Sequence, residues 1–391
     1  MTSAARIPGS IWVLGLVSLF MDISSELIHS LLPVFMVSSL GASVFMVGIV
    51  EGVAEATALI VRVFSGTLSD HLGRRKALTV LGYGLGAMSK PIFALAVSVH
   101  WVFVARFIDR IGKGIRGAPR DALIADLAPQ EIRGAAYGLR QSLDTVGAFV
   151  GPLLGIALML LWAGDFRMVF WFAVIPGVIA VILLVVGVKE PDRPRAGGKT
   201  TSPIRWNTLK QLDAAYWWVV LAGGVFTLAR FSEAFLILRA QQNGLPDAFA
   251  PAVLVLMNLV FALSAYPVGR LADRMSRPAL LAAGLVVLIA ADVLLAQARG
   301  LALVAAGVLL WGLHMGLTQG LLATMVADAA PAGLRGTAFG FFNFVGGIAM
   351  LIASVLAGLL WDQLGASVTF YCGAGFSLLA LLILLSRKTA G

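Results

Sequence analysis

Twelve stretches of about 20 mostly apolar residues succeed one another along the chain. Each is bounded by charge, glycine or proline, and they centre near residues 24, 56, 87, 112, 147, 177, 227, 260, 288, 313, 347 and 376. A stretch of that length crosses a bilayer as a helix, because a helix satisfies its own backbone N–H and C=O groups without water. No soluble core absorbs twelve of them, and 59% apolar against 13% charged residues lies far outside the soluble range. The expected fold class is therefore an all-α polytopic membrane protein with twelve transmembrane helices. The first run, after Arg6, is interrupted by Asp22 and Glu26 and is followed by no clean small-residue cleavage site, so it reads as a retained helix and not a signal peptide. Cys372 is the single cysteine, which excludes an internal disulfide and a thiol metal cluster.

The one long polar connection, "KEPDRPRAGGKTTSPIRWNTLKQLD", divides the chain six plus six. The expected domains are an N-terminal bundle over residues 1–188, a linker over 189–213 and a C-terminal bundle over 214–391. An even number of spans puts both termini and the linker on one side. That side collects Arg6, Arg74, Arg75, Lys76, Arg120, Arg133, the basic residues of the linker, Arg270, Arg274, Arg277, Arg335, Arg387 and Lys388, whereas the other side has at most Arg167, Arg239 and Arg299. By the positive-inside rule the termini are expected to be cytoplasmic, and the expected location is the inner, plasma membrane. The net charge of +9 is then topological, and nucleic acid is not an expected partner.

The halves repeat. "GTLSDHLGRRKAL" from Gly66 is echoed by "GRLADRMSRPALL" from Gly269, and "ADLAPQEIRGAAYG" from Ala125 by "ADAAPAGLRGTAFG" from Ala327, at offsets of 203 and 202 residues. Duplicated six-helix halves are how rocking transporters are built, with the substrate held between them near the midplane.

"GTLSDHLGRRKAL" resembles the loop motif between helices 2 and 3 of the major facilitator superfamily, and its second copy falls between helices 8 and 9. "RFIDRIGKG" is similar to that family's fourth-helix motif, with Arg106 as its arginine and Gly112 and Gly114 as its glycines; it departs from the pattern at Arg110, where glycine is usual. "GAFVGPLLG" resembles the fifth-helix motif of the antiporter branch through Gly147, Gly151, Pro152 and Gly155. "DISSELIHSLLP" and "DRIGKGIRGAPRDA" resemble a bacterial subgroup that includes nickel-resistance exporters. The resemblance implies two pseudo-symmetric six-helix bundles, alternating access, and a conformational latch at Gly66, Asp70, Gly73, Arg74 and Arg75, matched by Asp273 and Arg277 in a second copy that Ser276 and Pro278 interrupt.

The residues themselves point to charge handled inside the membrane. Arg106 to Asp121 carries seven charges in sixteen residues. At about 100° per residue these fall within roughly 140° of one helix face. Facing lipid, each costs at least ~2.5 kcal/mol, so that face either lines a wet cavity or meets counter-charges in an ion-pair ladder. "GKGIRG" satisfies a lone GxGxxG pattern but lies inside a spanning helix after no strand, which excludes a nucleotide loop. Counter-charges stand on helix 1, where Asp22, Ser25, Glu26 and His29 share a face, and on helix 2 (Glu51, Glu55, Arg62), helix 3 (Lys90) and helix 5 (Arg140, Asp144). Burial and nearby cations pull such a carboxyl in opposite directions, the condition for loading and releasing protons.

The expected proton-coupling set is Asp22, Glu26, Arg106, Asp109, Arg110 and Lys113. His29, Glu51, Glu55, Lys90, Arg140, Asp144, Arg230, Glu233 and His314 are expected at the substrate cavity, with an ion pair to helix 4 as the other role for Glu51 and Glu55. Asp22, Glu26 and His29 also form an O, O, N set suited to a divalent metal as solute. Against that, the basic excess on helix 4 suits an anion. "SSE" at 24–26 and "FSE" at 231–233 make Glu233 the counterpart of Glu26. No HExxH or GxSxG motif is present, and an enzyme is not expected. The function expected is proton-coupled efflux of a small solute, metal or drug-like, by a monomer without cofactors. The alternative is symport or uniport of an organic anion.

Overall fold

A helix that spans about 30 Å of hydrocarbon needs roughly 20 residues at 1.5 Å each. In the computed structural model, which describes residues 7–72, 74–190, 209–272, 275–331 and 334–386, helices of that length dominate and no strand occurs among the described residues. In the first half they are α1 (Gly9–Val34, continued by a π-helical turn Phe35–Ser39), α2 (Val44–Leu72), α3 (Arg75–Leu95), α4 (Val99–Leu127), α5 (Arg133–Leu161) and α6 (Phe166–Gly187). In the second they are α7 (Ala214–Ala229), α8 (Ala234–Gln242), α9 (Ala252–Ala272), α10 (Arg277–Gln297), α11 (Leu301–Thr318), α12 (Leu321–Ala329), α13 (Arg335–Leu364) and α14 (Ala366–Ser386).

Eleven segments are long and apolar enough to cross a membrane, with α7–α8 and α11–α12 each counting as one. The twelfth is α4, which has the length but fails on composition because of the charges from Arg106 to Asp121. The all-α, twelve-span fold class is therefore the observed one. Its lipid-facing surface is plain on α6, where Trp171, Ile175, Val178, Ile182 and Val185 are exposed at three- and four-residue intervals while Phe170, Ala173, Ala180 and Leu184 are buried. Asp165 starts that helix, its carboxylate accepting from the backbone N–H groups of Arg167 and Met168 at 2.9 and 3.2 Å.

Spans seven and ten differ from the sequence expectation of single continuous helices. Between α7 and α8 the stretch Arg230–Glu233 leaves the helix, and the freed N–H of Ser232 is taken up by the Ser354 hydroxyl at 3.3 Å. Between α11 and α12 the chain turns through Gly320 at φ 74°, a left-handed conformation that favours glycine.

The chain divides into two compact units, Met1–Leu31 with Thr57–Ser202, and Leu32–Ala56 with Pro203–Gly391. In the first, α3 packs on α4 and α6, around a core that includes Ile11, Leu14, Val17 and Met21 of α1 and Tyr83 of α3. In the second, α10 packs on α11 and α14, the matching arrangement one repeat later. The segment Leu32–Ala56 belongs to the second unit because glycines bring α2 and α13 into backbone contact. A β-carbon on Gly52 would lie 3.1 Å from the Leu351 carbonyl oxygen, and one on Gly358 would lie 2.8 Å from the Val44 carbonyl oxygen. Asp362 of α13 closes this contact, accepting from the N–H groups of Val44 and Phe45 at 3.1 and 2.9 Å.

Candidate functional site

The charges of α4 are brought inside the first unit by glycines. A β-carbon on Gly112 would stand 2.5 Å from the Gly82 carbonyl oxygen of α3, and one on Gly114 2.7 Å from the Val61 side chain of α2. The two glycines of "GKG" thus serve helix contact. This seats Arg106, Asp109, Arg110 and Arg116 at 2–5% exposure, beside Lys90 of α3 at 1%.

Burial on this scale requires partners. Lys90 Nζ donates to Asp109 Oδ1 at 2.8 Å and to the Ser25 hydroxyl of α1 at 2.9 Å, tying three helices together. Arg110 Nε lies 3.9 Å from Asp109 Oδ2. Arg116 stacks its guanidinium 4.7 Å above the Tyr83 ring. Arg120 donates to Ser18 and Tyr83 hydroxyls at 3.2 and 3.4 Å and pairs with Asp121, which also meets Arg62 of α2 at 3.7 Å. On α5, Arg140 holds Asp144 at 2.6 Å. Sequence reasoning placed Arg116 in the charged arc of helix 4 but missed Tyr83 and Ser18 as members of this network. Tyr83 stands among glycines in "GYGLG", the one signal that its ring had an open face to offer.

His29 contributes a sharper constraint. Arg106 Nη2 lies 2.6 Å from His29 Nδ1. A guanidinium only donates, so Nδ1 is the acceptor and the imidazole hydrogen sits on Nε2. Its ring is thereby committed to Arg106, and among the described residues no group of three or more His, Cys, Asp and Glu side chains is gathered as a metal would need. Asp22, Glu26 and His29 do not meet as a three-ligand set.

Asp22 and Glu26 are only partly buried, and neither forms a hydrogen bond or ion pair among the described residues. Both lie against α5. A β-carbon on Gly147 would come within 2.9 Å of the Asp22 β-carbon, and one on Gly151 within 3.1 Å of the Glu26 β-carbon. The glycine motif of α5 therefore seats α1 at these two acids, while Asp109, Asp121 and Asp144 are each engaged by cations. Four buried cations, Lys90, Arg106, Arg110 and Arg116, are gathered on α3 and α4 with the Asp109 carboxylate, and Lys113 is exposed on α4.

The remaining expected residues fall elsewhere. Glu51 and Glu55 lie on the part of α2 that belongs to the second unit, Glu51 buried. In that unit Arg230 lies over the Phe226 ring at 5.7 Å and His314 packs on the same ring at 5.5 Å, so the two share a neighbour. His314 Nδ1 donates to the Gly284 carbonyl at 2.8 Å. Glu233 precedes α8 at the break.

Of the expected latch, Gly73, Asp273 and the Asp70 side chain lie outside the described residues, as do Arg6, residues 191–208 of the linker, Arg274, Arg387 and Lys388. Gly66 packs on Ala118, Arg74 is exposed, and Arg75 pairs with Asp126 at 2.6 Å. Arg277 pairs with Asp328. The two pairs are related by 202 residues at both ends, so the repeated motifs bind each other within each half. Arg277 plays the part of Arg75, one place away from the register the 203-residue offset suggests.

Comparison with known proteins agrees with this geometry. The sequence profile of the Major Facilitator Superfamily matches residues 14–354 and again 234–390. The chain is 31% identical over 385 residues to an uncharacterized MFS-type transporter of Methanocaldococcus jannaschii, covering 96% of this chain and 94% of that one. It is 26% identical over 202 residues to the quinolone resistance protein NorA of Staphylococcus aureus, covering 52% and 50% respectively. In three dimensions it superposes with a TM-score of 0.79, at 16% identity and 98% coverage of both chains, on a bacterial homolog of the human lysosomal transporter Spinster in an inward-facing, unoccupied conformation.

Proposed function

The chain belongs to the Major Facilitator Superfamily, a family of multi-pass membrane transporters, and from that premise we propose that it exports a small drug-like solute by alternating access, driven by protons moving the other way. The inner membrane, cytoplasmic termini, a monomer and two six-helix halves joined at residues 189–213 belong to the same proposal.

The observation that carries it is the contrast among the acids of the first unit. Asp109, Asp121 and Asp144 are held by cations, whereas Asp22 and Glu26 stand unpaired and partly open beside the basic face of α4. A carboxyl already locked in an ion pair gives up or accepts a proton only with the loss of that pair; Asp22 and Glu26 carry no such penalty. In the proposed cycle a proton on Glu26 or Asp22 lets α1 move as a neutral face. Its release restores a negative charge that Lys113 and the α4 arginines attract. Arg106 holds His29, and Lys90 holds Asp109 and Ser25, so the positive face keeps its shape while the acids change charge.

The drug-like class is favoured over the nickel-type metal of the resembled subgroup. His29 is occupied by Arg106, the surrounding charge is positive, and NorA, similar over half its length, is a quinolone resistance protein. The concentration of buried cations on α3 and α4, Lys90, Arg106, Arg110 and Arg116, supports a second reading, transport of an organic anion.

The test uses sealed proteoliposomes holding a pH-sensitive dye. Adding a quinolone outside is expected to move protons, and Glu26→Gln or Asp22→Asn to reduce that movement at least tenfold with folding unchanged. Proton movement that survives both substitutions would sink the assignment. A response to nickel and not to the quinolone would return the metal reading.

A further inference from the structure

We propose that Asp292 is a second proton-binding site of this transporter, set within the C-terminal unit and covered by Phe231. Asp292 lies in the C-terminal third of α10, five residues before its end, at 0% exposure, and neither of its carboxyl oxygens takes part in a hydrogen bond with any described residue. Asp292 Oδ2 and Phe231 Cε1 converge on Gly373 of α14, 2.8 and 2.9 Å from where a β-carbon on that glycine would stand. The Phe231 ring is itself packed by Phe235, Trp311 and Phe370 at centroid distances of 5.4 to 5.5 Å. The carboxyl group and the edge of the Phe231 ring therefore lie within about 6 Å of each other at Gly373, beside this aromatic cluster.

Among the described residues no charged group answers it. The ionisable side chains on the elements packed around α10 are Cys372 beside Gly373 and the exposed Tyr371 on α14, His314 on α11, Asp328 on α12, and Arg230, Glu233 and Arg239 around the α7–α8 break. His314 donates to the Gly284 carbonyl, Asp328 pairs with Arg277, and Arg239 donates to the carbonyls of Leu295, Ala296 and Ala298. A bare carboxylate in such a place is too costly to keep, and with no donor or cation at hand the group must carry its own proton. Phe231 belongs to the non-helical stretch Arg230–Glu233, where backbone dihedrals can change without breaking a helical turn. Movement of that stretch uncovers Asp292 and lets the proton leave. The function proposed above places the coupling acids on α1; this adds a proton site on α10 and rests on the chain being proton-coupled.

Dicyclohexylcarbodiimide, which adds to protonated carboxyl groups in apolar surroundings, is the probe. Full-length protein in nanodiscs is treated across a pH series and the modified residues are identified by peptide mass. The expected result is an adduct at Asp292 that forms more slowly as pH rises and several-fold faster in Phe231→Ala. Asp292→Glu should keep the adduct and the wild-type pH profile of transport, whereas Asp292→Asn should lose the adduct and flatten that profile. Modification of Glu26 without Asp292 in both wild type and Phe231→Ala would overturn the proposal, as would a rate at Asp292 indifferent to Phe231 or an unchanged pH profile in Asp292→Asn. Each of these outcomes leaves the role of Asp22 and Glu26 standing. Failure of that role shows instead as proton movement indifferent to Glu26→Gln.

Discussion

Lys90 and Asp109 form the ion pair on which the α1–α3–α4 contact turns, 2.8 Å apart at 1% and 4% side-chain exposure. A buried pair of this kind adds little over a well-packed apolar pair, yet breaking it by removing one partner leaves a naked charge and costs about 3–5 kcal/mol. Lys90→Met is therefore expected to lower the thermal midpoint of the detergent-solubilised protein sharply, because Asp109 keeps its place in the core with its principal partner gone. Lys90→Met with Asp109→Leu should recover most of that loss. If the double variant is no more stable than the single one, the pair is not the source of the penalty, and Lys90 acts through Ser25 instead. Transport by the refolded double variant separates structure from coupling: the proposed coupling acids, Asp22 and Glu26, are untouched by it. The sequence shows Lys90 and Asp109 only as two charges 19 places apart. That they meet follows from Gly82, Gly86 and Gly112, which draw α3 and α4 close enough for a lysine to reach across.

At the scale of elements, the glycines divide into those that hold helices together and those that do not, and composition does not tell them apart. Gly147 and Gly151 face the α1 backbone, where an added β-carbon would stand 2.7 Å from the Leu19 carbonyl oxygen and 2.9 Å from that of Ile23. Gly84, in mid-helix on α3, has nothing within 4 Å. The same substitution should therefore act with opposite sign. Gly147→Ala or Gly151→Ala must push α1 from α5, at about 1–3 kcal/mol for overpacking, and should displace Asp22 and Glu26 and slow transport. Gly84→Ala should raise the thermal midpoint, since alanine is favoured over glycine inside a helix by about 0.5–1 kcal/mol. Equal effects at all three positions would show that helix propensity, and not contact, governs them.

The spacing of the α5 motif was legible because small residues every four places make a groove on any helix. The breaks at Arg230–Glu233 and Gln319–Gly320 are not legible. Apolar residues on both sides average over them, and the hydroxyl that satisfies Ser232 comes from Ser354, 122 residues away.

For the molecule as a whole, the duplication read from two pairs of motifs is realised as two ion pairs, Arg75–Asp126 and Arg277–Asp328, offset by 202 residues. Internal similarity shows that the halves match, but it does not say that the first motif of each half binds the second. That needs the chain to fold back, so that the start of α3 meets the end of α4 and the start of α10 meets α12. Nor does it reveal that copies of one contact differ in setting. Side-chain exposure is 15% and 3% for Arg75 and Asp126, but 41% and 60% for Arg277 and Asp328. Water and salt screen the second pair, for which exposed-pair magnitudes of about 0–1 kcal/mol apply. The first is shielded and supported by a further bond from Arg75 to the Ala122 carbonyl at 3.0 Å. Asp126→Asn is accordingly expected to lower stability and transport several-fold, with little dependence on ionic strength. Asp328→Asn should have a small effect that disappears between low salt and about 1 M, where the Debye length falls to roughly 3 Å. Exchanging the partners, Arg75→Asp with Asp126→Arg, tests whether pairing alone matters. Recovery of transport would make the contact a simple clasp, whereas a dead but folded exchange variant would mean that the arginine must stand on α3, where its second bond, to Ala122, fixes the geometry.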